Sequence, residues 1–341
     1  MTGERRATTP SGRPGRVLTA LLCALTAAGL YGCSGSGPSE PSPTPTPTPT
    51  TAPATPPTGV SPFTGLPAKP APVLAVKLDN VPAARPHTGL GKADLVYVEQ
   101  VEGGVTRLMA VYSSHLPDLT GPVRSARESD IALLGDFGHP VLAYSGAQSA
   151  LTPLLRAAPL HLVTEGTTPQ AFLRSPDRPA PHNLYLRPGR ALAAAPGADE
   201  PHDIGFRFGP DPAGGTPVTT STVRYPAARY SFTWSAADRA WRVAMDGREA
   251  RATDTGPLTP ETVVVQRVTI RPSRFHDRFG SVSPYSETVG SGTALVLRDG
   301  RAHEARWSRP SASSGTTFTT PDGAPLPFAP GQVWIVLAPR G

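Results

Sequence analysis

The chain reads as an α+β protein, an N-terminal α/β layered domain with a mixed sheet followed by a mainly antiparallel β domain. Two observations carry this. Before about residue 195 apolar strand-like runs alternate with helical spacing, which implies an α/β layer. After about residue 223 the apolar residues recur every second position between Asp-Gly pairs, the signature of tight hairpins.

In chain order, Val73 to Leu78 reads as a buried strand, Asp94 to Val101 as a second and Thr106 to Tyr112 as a third. Ser125 to Phe137 has helical spacing, Val141 to Tyr144 is strand-like, and Gln148 to Ala157 is helical again. A Pro/Gly-rich stretch, 196–223, separates the halves, so the expected domains are 61–195 and 224–341. In the second, Tyr230, Phe232 and Trp234 alternate, as do Trp241, Val243 and Met245. Val263 to Ile270 and Val333 to Leu337 are runs of β-formers. Asp246-Gly247, Asp299-Gly300 and Asp322-Gly323 follow or divide these strands. Trp234, Trp241, Trp307 and Trp334 are expected in the core, because each sits in a strand-like alternation.

The first sixty residues speak of location. Arg5, Arg6, Arg13 and Arg16 precede an apolar run from Val17 to Leu30, and Gly32 stands directly before Cys33. Residues 1–32 therefore read as a secretory signal with a lipobox, whose apolar run of 14 residues is too short to span a bilayer. Cys33 is the expected lipidation site, carrying palmitate or related acyl chains on the extracytoplasmic face of the cell membrane. Arg5-Arg6 leaves general and twin-arginine export both open. Residues 33–60 hold a Pro-Thr repeat with no apolar surface to offset ordering entropy, so they read as a disordered linker. In polyproline II it reaches roughly 80 Å at ~3.1 Å per residue, and a glycosylated stalk fits the same composition. Cys23 leaves with the signal, so no disulfide is expected.

The formal net charge is +6, of which the leader's four Arg and one Glu account for half. The remainder is scattered rather than clustered, which argues against a nucleic-acid partner. His87, His115, His139, His161, His182 and His202 show no i, i+4 pair and no cysteine partner, so spacing supports no metal site and no cofactor. Ser125 stands before a helix, but the Gly-x-Ser-x-Gly elbow is missing.

Polar residues gather where the predicted strands end. Asp79-Asn80 closes the first, Glu99 and Glu102 close the second, and Arg107 opens the third. Gly121-Pro122-Val123-Arg124-Ser125-Ala126-Arg127 then leads onward. Ligands of open α/β sheets bind outside the carboxyl ends of strands, and guanidiniums fork over phosphate or carboxylate oxygens. The candidate ligand-binding set is therefore Asp79, Asn80, Glu102, Arg107, Arg124, Ser125, Arg127, His182 and Asn183. The plainer alternative pairs Arg124 and Arg127 with Asp79, Glu99 or Glu102 as architecture. His182-Asn183 is either a polar turn or a route for an imidazole to the arginines.

Ser61-Pro62-Phe63-Thr64-Gly65-Leu66-Pro67, Leu78-Asp79-Asn80, the run from Ala84 to Tyr97, Glu102-Gly103-Gly104-Val105-Thr106-Arg107 and the Gly121 to Arg127 fragment resemble the YerB-like lipoproteins. Pro181-His182-Asn183-Leu184-Tyr185, Val289-Gly290-Ser291-Gly292, Trp307 and Pro330-Gly331-Gln332-Val333-Trp334-Ile335 extend the resemblance to the end of the chain. It implies two adjoining domains of unknown function on a lipid anchor and supplies no catalytic residue. The order of acid-ending strand, Arg-bearing strand and Arg-x-x-Arg is also loosely similar to the LytR-CpsA-Psr phosphotransferases. By that likeness Asp79 would be a metal-binding or base carboxylate, and Arg107, Arg124 and Arg127 would stabilise phosphoryl charge around a divalent metal. The favoured expectation is a non-enzymatic envelope protein that binds another envelope protein or an anionic envelope ligand; the alternative is phosphoryl transfer on a lipid-linked or wall precursor.

Overall fold

The structure is a computed structural model that describes residues 59–277 and 279–340. The signal sequence, Cys33 and the linker as far as residue 58 lie outside the described residues.

The centre of the fold is three antiparallel strands, β1 (Leu74–Asp79), β2 (Leu95–Gln100) and β3 (Thr106–Tyr112). Every residue in them except Gln100 is buried, so both faces of the sheet are covered. That is why they read as continuous runs rather than as alternations. From β1 the sheet continues in parallel through β4 (Val141–Ala143) and β5 (His161–Val163). Beside it, β6 (Phe172–Arg174) and β7 (Leu184–Leu186) form a separate hairpin.

In the second half β8 (Thr220–Tyr225), β9 (Ala228–Ser235) and β10 (Ala240–Met245) make an antiparallel meander. Then follow β11 (Thr262–Val268), the hairpin of β12 (Ile270–His276) and β13 (Val282–Ser286), β14 (Gly290–Arg298), β15 (Arg301–Arg309), β16 (Thr317–Thr319) and β17 (Val333–Pro339). Strands of both sequence halves share one sheet, in the order β16-β15-β14-β11-β17-β2-β3-β1-β4-β5, and Thr216–Pro217 also pairs with β15. The last strand is the seam: β17 runs parallel to β2 on one side and to β11 on the other.

Period-two alternation sends the sheet's side chains into two cores. Leu74, Val76 and Leu78 meet Tyr230, Phe232, Trp241 and Trp334 on one face; Ala75, Tyr97 and Met109 meet Phe137, Val264, Trp307 and Ile335 on the other. Trp241, Trp307 and Trp334 are buried, and the half-buried Trp234 leans on Trp241 with ring centres 5.3 Å apart. Asp246-Gly247 and Asp299-Gly300 each carry two successive positive φ angles, the backbone that a two-residue hairpin turn needs.

The protein is thus mostly sheet, mixed in the N-terminal part and antiparallel through much of the C-terminal part, and its helices are smaller than their spacing suggests. The helix expected over 125–137 is α1 (Ser129–Leu133) with a 3-10 turn over Leu134–Phe137. Backbone bonds from Arg124 N–H to Lys77 O and from Ala126 N–H to Gly146 O hold the start of this stretch outside the helix, which delays the helix start. Past the end of α1, Gly135 packs so close to Ala312 that a Cβ would lie 2.6 Å from its carbonyl oxygen. The second helix, α2 (Thr152–Ala157), starts four residues after Gln148, with Pro153 in its first turn where a missing N–H costs nothing. Pro188–Ala193 forms α3.

Candidate functional site

Strand register assembles the site. Asp79 of β1 and Glu99 of β2 are the direct cross-strand neighbours of Arg107 in β3, and Lys77, two residues before Asp79, shares their face. Four charged side chains therefore enter one end of an otherwise apolar sheet face. The segment after Gly121 is laid along β1 by hydrogen bonds from Asp79 N–H to Pro122 O (2.9 Å) and from Arg124 N–H to Lys77 O (2.7 Å). This brings Arg124, Ser125 and Arg127 to the same end.

Deepest lies an ion triad. Lys77 Nζ is 2.6 Å from Glu99 Oε1 and 2.6 Å from Asp130 Oδ1, and none of the three side chains is more than 1% exposed. Burial, assisted by the charge of Asp130 and opposed by that of Lys77, pushes Glu99 up to about 7. Asp130 ties α1 to the sheet through Lys77, and its Oδ2 accepts the backbone N–H of Arg127 at 2.7 Å, just before the helix. Sequence reasoning misses this cluster. A lone lysine within Leu74-Ala75-Val76-Lys77-Leu78 is its visible signal, because a buried ammonium needs a carboxylate.

Arg127 is fully engaged. Its Nε and Nη2 donate to the two oxygens of Glu102, each at 2.6 Å, and its Nη1 donates to Ala126 O. The Ser283 hydroxyl donates to Glu102 as well. Burial favours the neutral acid, but the Arg127 hydrogen bonds and charge and the Ser283 hydroxyl outweigh it, holding Glu102 below the usual carboxylate range.

Asp79 is 2% exposed; its Oδ2 lies 2.8 Å from His182 Nδ1 and 3.1 Å from Arg124 Nε. The β6–β7 hairpin thus does bring an imidazole to the arginine side. Asn80 is not in the cleft: its Nδ2 donates to Thr106 Oγ1 (3.0 Å) and to the Tyr230 hydroxyl, while its Oδ1 accepts from Arg85 Nε (3.0 Å). Asn183 belongs to the hairpin, accepting from Arg174 Nη1 (3.0 Å) and donating to Ser175 O (3.3 Å).

Two guanidiniums retain unused donors among the described residues. Arg107 is only 8% exposed, yet its side chain makes a single hydrogen bond there, Nη1 to Ser125 O at 2.7 Å, and meets no described carboxylate within 4.0 Å. Burial, reinforced by the charges of Arg127 and Arg124, pulls its pKa down to about 9. Arg124 contacts Asp79 through Nε alone, leaving both terminal nitrogens unpaired within the described residues. These two groups, with Ser125 and Arg127, line a cleft of about 550 Å³ that Glu128, Gln148 and Phe275 also border. Such a cleft presents paired, pre-placed donors to an anion. Among the described residues no three His, Cys, Asp or Glu side chains are grouped to hold a metal ion, and no helix is long and apolar enough to cross a membrane.

A mixed sheet whose final strand joins two halves, with an arginine cleft beyond its central strands, is the class of architecture seen here. Residues 58–201 match the N-terminal domain described as "Protein of unknown function (DUF3048)", and residues 221–335 match the C-terminal domain of the same description; the chain belongs to this family. It is 27% identical over 289 residues to "Putative lipoprotein YerB" of Bacillus subtilis (strain 168), across 78% of this chain and 81% of that protein. The crystal structure of the YerB protein from Bacillus subtilis shares the fold with a TM-score of 0.71 at 23% identity, covering 82% of this chain and 97% of that one. The motif resemblance therefore holds along both halves.

Proposed function

We propose that this protein is an extracytoplasmic lipoprotein, anchored through a lipid on Cys33, whose folded part is a binding module that receives an anionic envelope component in the Arg107–Arg124 cleft. The leader and Gly32-Cys33 support the anchor, as does the lipoprotein name of the Bacillus relative. One observation carries the binding role: Arg107 is buried beside two other guanidiniums without a carboxylate of its own among the described residues. Burying an uncompensated cation is expensive, so a site that keeps one is poised for an anion from outside. Asp79, the carboxylate a phosphoryl-transfer role would use, is held between His182 and Arg124, which favours binding over turnover.

The test is thermal unfolding of the mature chain in phosphate, pyrophosphate and malonate at constant ionic strength. Ligand that binds the native state alone stabilises it by about 2.7 kcal/mol at a hundred times Kd. At least one anion should raise Tm in a concentration-dependent way, and Arg124→Ala should abolish the response. A Tm indifferent to all three anions would sink the proposal.

A further inference from the structure

The cleft is not uniformly basic. Arg127 is neutralised by Glu102, so among the described residues the arginines of the cleft left for a ligand are Arg107 and Arg124. Two carboxylates share the same lining: Glu128 at the start of α1 and Asp277 at the tip of the β12–β13 hairpin. Each has capacity to spare among the described residues. Glu128 Oε2 accepts the Ser273 hydroxyl, leaving Oε1 unpaired. Asp277 Oδ1 accepts the backbone N–H groups of Phe279 (2.8 Å) and Ser281 (2.9 Å), leaving Oδ2 unpaired.

A bare polyanion would bind Arg107 and Arg124, but more weakly, because it leaves Glu128 and Asp277 facing it without a counter-charge. A ligand with a positive hydrogen-bond donor beside its anion satisfies both groups at once. Building on the binding role proposed above, we infer that the cleft recognises a zwitterion, a phosphate or carboxylate joined by a short spacer to a primary ammonium. The anion lies against Arg107 and Arg124, and the ammonium against Glu128 and Asp277. An ammonium has three donors and no acceptor, and the Glu128 and Asp277 carboxylates each keep one oxygen unpaired among the described residues.

Calorimetric titration of the mature chain with two matched pairs tests this: O-phosphorylethanolamine against ethyl phosphate, and β-alanine against propionate. In at least one pair the zwitterion should bind about tenfold tighter or more, as expected for one or two charge-assisted hydrogen bonds. The pair that shows the preference identifies the anion. Glu128→Gln, which keeps an oxygen for the Ser273 hydroxyl, should bring the paired affinities within about twofold of each other. Equal or tighter binding of the ammonium-free member in both pairs overturns the zwitterion while sparing the binding role. Absence of binding by all four overturns both. A full preference surviving in both Glu128→Gln and Asp277→Asn overturns the assignment of the acceptors.

Discussion

Two groups of charges sit side by side on one sheet face, and they have opposite fates. In the Lys77–Glu99–Asp130 triad every partner lies at 2.6 Å and solvent is excluded. In the cleft beyond it, Arg107 has one backbone acceptor and Arg124 one ion contact. Residue type does not separate the two, since both mix cations with carboxylates. Saturation of donors does, because a closed set of ion pairs holds elements together while an open set waits for a partner. The boundary falls between adjacent positions, at the Glu99–Arg107 cross-strand pair.

The comparison breaks most visibly at Lys77. Lys77→Ala leaves two buried carboxylates without their ammonium, and removing one partner of a buried pair costs about 3–5 kcal/mol. Urea denaturation of the variant should show a loss of that size with no change in slope. A loss below about 1 kcal/mol would mean that the triad is no more structural than a surface pair.

Acidity sharpens the same point. Folded Glu99 keeps its proton to about pH 7, whereas the ordinary value for a solvated glutamate, as in the unfolded chain, is 4.5. Between these values the folded state binds more protons, so stability from this group is highest at low pH and falls as pH rises through the window. Glu99→Gln removes that slope, and its stability relative to the parent should climb by on the order of 2 kcal/mol from pH 4.5 to 7. Asp136, raised to about 7 by burial, slopes the same way, and His87, lowered to about 4 by burial, slopes the opposite way. Both cancel in the difference between the two proteins. Parallel stability curves over this range would contradict the coupling.

The smallest effect on stability is expected at the open site. Arg124→Ala removes a side chain that is 27% exposed and makes one ion contact, so unfolding should change by less than about 1 kcal/mol even as the anion response disappears. A loss comparable with that of Lys77→Ala would place Arg124 with the architecture.

Part of this arrangement is legible in the amino-acid sequence. Thr106 to Tyr112 is a strand over the full expected range, and the Asp246-Gly247 and Asp299-Gly300 turns adopt the backbone that their residue types favour. The gathering of Asp79, Glu102, Arg107, Arg124, Ser125 and Arg127 near strand ends is legible too, because strand termini are local features. The roles within that group are not. Glu99 reads as a partner for arginine and serves Lys77, while Asn80 turns to Thr106, Tyr230 and Arg85. Glu128 and Asp277 carry no sequence signal as members of the cleft lining. Helix extents mislead as well, since spacing does not register the backbone bonds of Arg124 and Ala126 to Lys77 and Gly146, Pro153 or the close packing of Gly135 against Ala312.

By itself the amino-acid order determined which stretches are extended, where the chain turns and which family the protein joins, because side-chain alternation and φ preference act over a few residues. Tertiary structure alone decided that Val333–Pro339 threads in parallel between Leu95–Gln100 and Thr262–Val268, and which guanidiniums keep unused donors among the described residues. Both depend on partners far away in the chain. Parallel pairing and charge saturation are properties of neighbours in space, and no local pattern names them.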